Sequence, residues 1–93
     1  MKLHFLRYFS VLAEELHFGR AAERLAITQP PLSAAIKALE QEVGAVLLVR
    51  NSKRVELTPA GKALLSEARQ ILERVYRAKE VVAAVKNLSL IHI

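Results

Sequence analysis

The chain has 93 residues, 53% hydrophobic and 25% charged, enough for one small domain and one further element but not for a second core. Without cysteine it has no disulfide and no thiolate metal site, and no apolar run approaches the roughly 20 residues that cross a bilayer. The net charge of +5 suggests a polyanionic partner, yet residues 1–57 hold eight Lys/Arg against six Glu and residues 58–93 six against three, so neither half is a basic tail and any nucleic-acid site has to be made by placement on a fold.

The opening Met1-Lys2-Leu3-His4 lacks the apolar core and cleavage site of a signal peptide, and a cytoplasmic location is expected. Phe5, Phe9, Leu12 and Leu16 recur in steps of four, three and four, flanked by Leu6 and Ala13. That spacing predicts a first helix from about Lys2 to Leu16. A second, shorter helix is predicted after Gly19 as its N-cap, with Ala21, Ala22 and Leu25 inward and Arg20, Glu23 and Arg24 outward. Thr28 reads as the N-cap of a third helix, with Pro30 and Pro31 in a first turn where N–H groups have no intrahelical partner to lose. Leu32, Ile36, Leu39 and Val43 form its apolar face, and Gly44 stands where a left-handed C-cap is wanted.

From Ala45 to Leu57 the pattern changes: Val46, Leu47, Leu48 and Val49, a polar turn at Asn51-Ser52-Lys53-Arg54, then Val55-Glu56-Leu57. This predicts a short β-hairpin, too small to stand without the helices. Thr58-Pro59 opens the last helix. It is expected to run to about Lys86, roughly 28 residues or 42 Å, so most of it must project from so small a domain. The expected class is therefore mainly α: a winged helix-turn-helix over 1–57, three helices and a hairpin wing, followed by a linker and dimerisation helix over 58–87.

Two helices joined by a turn of about three residues, after a preceding helix, make a helix-turn-helix. With Leu32, Ile36 and Leu39 in the core, the outer N-terminal face of the third helix carries Thr28, Gln29, Pro30, Ser33, Ala34 and Lys37, the end that meets base edges in such motifs. Gln29 can bond an adenine edge, Thr28 and Ser33 can donate or accept, and the proline rings suit thymine methyls. The bland alternative is a helical bundle with a solvated face, which has no need of a double proline. Arg50, Lys53 and Arg54 on the hairpin turn suit phosphate or minor-groove contact, or else merely solubilise the turn.

On the long helix Leu64, Ala68, Ile71, Val75, Ala78, Val82 and Val85 alternate in steps of four and three. This heptad seam calls for a partner helix, most simply a second copy of the chain. Only the first turns, around Leu64 and Leu65, are expected to cover the chain's own domain. Catalysis is not expected: His4, His17 and His92 are scattered, without paired carboxylates or a nucleophile beside a base, and no glycine-rich phosphate loop is present. No metal or cofactor is expected either. The competing binding readings are a protein-interaction module built on the heptad helix, and RNA binding, which lacks exposed stacking aromatics.

Four segments carry a resemblance: Phe18-Gly19-Arg20-Ala21-Ala22-Glu23-Arg24-Leu25, Thr28-Gln29-Pro30-Pro31-Leu32-Ser33, Ile36-Lys37-Ala38-Leu39-Glu40, and Val55-Glu56-Leu57-Thr58-Pro59-Ala60-Gly61. Together they resemble the signature of LysR-type bacterial transcription regulators over about residues 3–86. The resemblance implies sequence-specific binding of a partly palindromic promoter site on double-stranded DNA by a homodimer paired through the linker helix. It also implies a larger effector-binding domain, absent from these 93 residues, through which small-molecule inducers act. By position, Thr28, Gln29, Pro30, Pro31 and Ser33 match the family's DNA-reading segment, and Arg50, Lys53 and Arg54 its wing. Two departures stand out. Ala34 and Ala35 replace a basic residue and a glutamine common in members, which thins the expected DNA contacts; Val49 replaces a common acidic residue and leaves a wing salt bridge in question. Residues 88–93, Leu-Ser-Leu-Ile-His-Ile, break the charged pattern of the helix. They read as a disordered tail translated from a sequencing adapter, or alternatively as a native strand.

Overall fold

The computed structural model describes residues 1–91, with side chains through Leu88. The elements are α1 (Leu3–Glu15), α2 (Phe18–Leu25), α3 (Gln29–Val43), β1 (Leu48–Arg50), β2 (Val55–Leu57) and α4 (Pro59–Ile91). The two strands form one antiparallel hairpin, so the expected class, three helices with a wing and a long final helix, is the one observed.

The core lies where α1, α2 and α3 meet the first turns of α4. Phe9, Leu12, Ala21, Leu32 and Ala68 are wholly buried, and Leu6, Leu39 and Leu47 nearly so. Burying a ring such as Phe9 contributes roughly 1.5–3 kcal/mol. The inward face of α1 is Leu6, Phe9, Leu12 and Ala13, with Phe5 half-buried. Leu16 is not the last residue of that stripe. It is exposed at the C-cap in left-handed backbone, φ 50°, with its N–H bonded back to the Leu12 carbonyl. Val43 in the last turn of α3 is also exposed, and Ala35 completes the buried row with Leu32, Ile36 and Leu39.

The helix starts follow from which backbone donors exist to be capped. α2 is capped by His17 and not by Gly19: the imidazole Nδ1 accepts the Arg20 N–H at 3.0 Å, as a Ser or Asp oxygen would elsewhere. Phe18 can then enter the core as the first helical residue. Thr28 occupies the N-cap of α3 without a side-chain capping bond. A cap normally binds the second or third helical N–H, and here both positions are proline, which has none. Gly44 closes α3 as expected, at φ 70° with its N–H bonded to the Glu40 carbonyl.

The wing is pinned to the helices through one short stretch. The Leu47 N–H donates to Glu40 Oε2 at 2.8 Å, and the Thr58 N–H donates to the Leu47 carbonyl at 3.0 Å. The Thr58 hydroxyl donates to the Val46 carbonyl at 2.6 Å and accepts the Gly61 N–H at 2.9 Å, capping α4. Gly61 is buried directly over this stretch. A Cβ there would collide with the Leu47 carbonyl oxygen, so the close approach of α4 to the wing requires glycine.

α4 has 33 residues, about 50 Å at 1.5 Å per residue, and the molecule measures 61 Å along its longest axis. The helix passes the expected end near Lys86 and continues through Ile91. Residues 88–91 are helical and not strand: no proline or glycine follows Gly61, and leucine is a strong helix former. His92 and Ile93 lie outside the described residues. The boundary at 57/58 does not divide the packing either, since Leu65 and Ala68 of α4 belong to the same core as α1–α3. No helix among the described residues is long and apolar enough to cross a membrane.

Candidate nucleic-acid interface

α2 and α3 are joined by three residues, Ala26 to Thr28. Ala26 takes left-handed backbone at φ 56°, and the Ile27 N–H bonds back to the Ala22 carbonyl at 3.0 Å, which closes the turn tightly. With Leu32, Ala35, Ile36 and Leu39 facing the core, Thr28, Gln29, Pro30, Pro31, Ala34 and Lys37 are exposed and Ser33 is half-buried. Arg20 and Arg24 of α2 face outward as expected, but they serve α1. Arg24 lies 2.9 Å from Glu15 and 3.1 Å from Glu14, and Arg20 lies 3.3 Å from Glu15. The hydrogen bonds that Arg24 donates to Glu15, then Glu14, hold its pKa above its ordinary value.

The hairpin pairs Leu48 with Leu57, Val49 with Glu56 and Arg50 with Val55. Its turn is shaped by Asn51, whose Oδ1 accepts the Lys53 N–H at 2.8 Å and the Arg54 N–H at 2.9 Å. Val49 carries no charge, and the wing has its ion pair elsewhere: Arg54 meets Glu56 at 2.7 Å. Both are exposed, so the pair adds little stability. It does fix where the Arg54 guanidinium sits. Arg50 lies with its guanidinium 4.3 Å from the centre of the Phe18 ring.

These pieces meet in two adjoining clefts. Ser33, Ala34, Ile36, Lys37 and Glu40 of α3 face Phe18, Leu48 and Arg50 across a space of about 490 Å³. Gln29 lines the next cleft with His17, Gly19 and the wing from Arg50 to Val55, a space of about 300 Å³. The structure thus brings Gln29, Ser33, Ala34 and Lys37 together with Arg50, Lys53 and Arg54. Thr28, Pro30 and Pro31 stand on the exposed first turn of α3 and line neither cleft.

Sequence reasoning missed His17, Phe18, Glu40 and Glu56. Only Glu56 had a local signal: it lies two residues after Arg54, hence on the same face of an extended chain. His17 also acts locally, three residues before the N–H it accepts, but as an unusual cap; Phe18 and Glu40 act across elements.

Along α4 the expected seam divides. Ala68 is fully buried in the chain's own core, with Leu64 and Leu72 packed against that core, so Ala68 is not available to a partner helix. α4 packs against α1, and that packing runs on from Leu65 through Ala68 to Leu72. Further on, Ile71, Val75 and Ala78 line a shallow groove edged by Glu67, Gln70 and Arg74. Val82 and Val85 are 68% and 59% exposed, an apolar row with nothing of its own fold against it.

Residues 3–62 match the family described as bacterial regulatory helix-turn-helix protein, lysR family. The chain is 60% identical over 75 residues to the uncharacterized HTH-type transcriptional regulator YnfL of Escherichia coli, which covers 81% of this chain and 25% of that protein. It is 52% identical over 81 residues to the HTH-type transcriptional regulator AlsR of Bacillus subtilis, 87% of this chain and 27% of that one. The chain therefore spans about a quarter of the length of these curated relatives. Among solved structures it is similar to the CbnR DNA-binding domain in complex with DNA, with a TM-score of 0.87 and 41% identity over 91% of this chain and 98% of that one. The BenM DNA-binding domain bound to the catB site 1 DNA matches with a TM-score of 0.87 and 40% identity, over 91% and 94% of the two chains. Helix-turn-helix, wing and long helix occur here in the order and geometry of these relatives, and the chain belongs to the LysR family, whose helix-turn-helix domain it carries.

Proposed function

We propose that this chain binds double-stranded DNA sequence-specifically, as one half of a homodimer, to recruit transcriptional control to a partly palindromic site. α3 enters the major groove by its N-terminal end. Gln29 and Ser33 meet base edges, with Thr28, Pro30, Pro31, Ala34 and Lys37 around them. Arg50, Lys53 and Arg54 meet phosphate or the neighbouring minor groove. The observation that carries this reading is the convergence of the exposed end of α3 and the cationic wing on the same two clefts. The solved DNA complexes of CbnR and BenM domains support it by similarity. Residues 1–57 read the DNA. Residues 58–87 pair with a second copy through Ile71, Val75, Ala78, Val82 and Val85, while Leu64 and Ala68 stay with the chain's own core. The protein acts by binding and not by catalysis, in the cytoplasm, in keeping with relatives that are transcriptional regulators.

Selection from a random DNA pool tests this directly. The expected result is a motif with two-fold symmetry and half-sites roughly 34 Å apart or a multiple of it. A pool that shows no enrichment would overturn the reading in favour of a protein-interaction module carried by α4.

A further inference from the structure

The wing cations are not equivalent. Arg54 is tied to Glu56 at 2.7 Å. Among the described residues Lys53 has only its backbone N–H engaged, by Asn51. Arg50 has neither a side-chain hydrogen bond nor an ion pair among the described residues; its guanidinium faces the Phe18 ring at 4.3 Å. A carboxylate does share that cleft, from Glu40, but its Oε2 accepts the Leu47 N–H at 2.8 Å and is not within ion-pair reach of Arg50.

We propose that Phe18 is a positioning residue: its ring is the platform that holds Arg50 in the cleft between α3 and the wing, with the guanidinium edge ready for an anionic face of the duplex. The proposal rests on the DNA-binding reading above. A guanidinium stacked on a ring uses its flat face there and keeps its N–H donors in the plane, available to phosphate or to a base edge. A long arginine otherwise loses much rotamer freedom when it binds, and a ring that holds it beforehand lowers that loss. Phe18 is itself 9% exposed and fixed as the first residue of α2 by the His17 cap. The platform therefore moves with the helix-turn-helix and not with the wing. It sets the wing's leading cation at a fixed distance from Gln29 and Ser33, which neither strand of so short a hairpin could do alone.

The test joins a measurement on the unbound chain to a double-mutant cycle. In the unbound protein the Arg50 Cδ protons should be shifted upfield by the ring current, retain that shift in Phe18→Tyr, and lose it in Phe18→Leu. On the selected duplex, Phe18→Leu should weaken binding about two- to fivefold, the range of an exposed cation–ring contact. Arg50→Ala should weaken it about tenfold or more, Phe18→Tyr should stay within about twofold of the unsubstituted chain, and Phe18→Leu should add nothing further in the Arg50→Ala background. A loss of core packing at residue 18 would weaken both backgrounds equally and so cancels in the cycle. Phe18→Met gives the same comparison should Phe18→Leu fail to melt cooperatively. Equal effects of the residue 18 change with and without Arg50, or an Arg50 resonance indifferent to the ring, would overturn the platform while leaving DNA binding intact. An unsubstituted chain that prefers no duplex would remove the underlying reading and the platform with it.

Discussion

At the scale of single residues, Gly61 shows how opposing effects are decided by magnitude. Glycine inside a helix is worse than alanine by about 1 kcal/mol, so Gly61→Ala would be stabilising on helix propensity alone. Here the added Cβ falls onto the Leu47 carbonyl, a backbone atom that moves only with the strand behind it. Overpacking of that kind costs about 1–3 kcal/mol, and it displaces the stretch that anchors the wing. Gly61→Ala is therefore expected to lower the denaturant midpoint with an unchanged slope; a midpoint that rose would mean that the wing yields easily. Gln29 belongs to the same scale but bears on binding. Its side chain is exposed beside Gly19, where a hypothetical Cβ would lie only 3.6 Å from Nε2. Being exposed, it lies outside the core, so its removal leaves the core packing in place. Gln29→Ala should cost roughly 1–3 kcal/mol on the selected site and much less on random duplex. Equal losses on both, measured by titration at one salt concentration, would exclude Gln29 from base reading.

At the scale of elements, what was legible in the sequence depended on whether the deciding contact is local. The turn between α2 and α3 and the glycine end of α3 follow from residues within one helical turn, and they stand where the spacing put them. The start of α2 is the exception: it is decided just as locally, three residues before Arg20, and was still not legible. His17 is a rare cap, and the nearer glycine offered a plausible but weaker one. Nor could periodicity show that Leu16 and Val43 would leave the core, because that depends on where α1 and α3 run out of neighbours. The exposed end of α3 and the wing cations were legible as a set by type and spacing. Their partners were not: Phe18 reaches Arg50 across 32 positions of sequence, a pairing that only the packed fold creates. The wing gives this scale its prediction. Arg54→Ala removes a cation and also releases Glu56 from its pair, so two unfavourable changes face the phosphates together. Binding to all duplexes should weaken, and the slope of log K against log salt should flatten by about one. An unchanged slope would place Arg54 off the backbone, engaged with Glu56 alone.

For the whole molecule, the open question is what covers α4. Its first turns are part of the domain, down to Ala68 and Leu72, and packed against α1. From Ile71 on, Ile71, Val75, Ala78, Val82 and Val85 present an apolar row on a helix that projects past the core. Because its base is rooted in the domain, any partner on that row also sets the spacing and angle of two recognition helices. Dimerisation and DNA affinity should then fail together. Ala78 lies mid-row, where a second copy of the same helix would approach closely, and Ala78→Glu would place one carboxylate per chain into that contact. A buried charge without a partner costs several kcal/mol, more than a row of this length can offset. Sedimentation should show the variant near the single-chain mass of 10.4 kDa at concentrations where the unsubstituted chain sediments at twice that. Affinity for the two-fold site should fall toward that for a single half-site. Ala84→Glu is the control, since at 100° per residue it points away from the row and should leave the dimer intact. A dimer that survived Ala78→Glu but not Ala84→Glu would move the pairing face to the opposite side of α4, and the two recognition helices would have to be spaced anew from there.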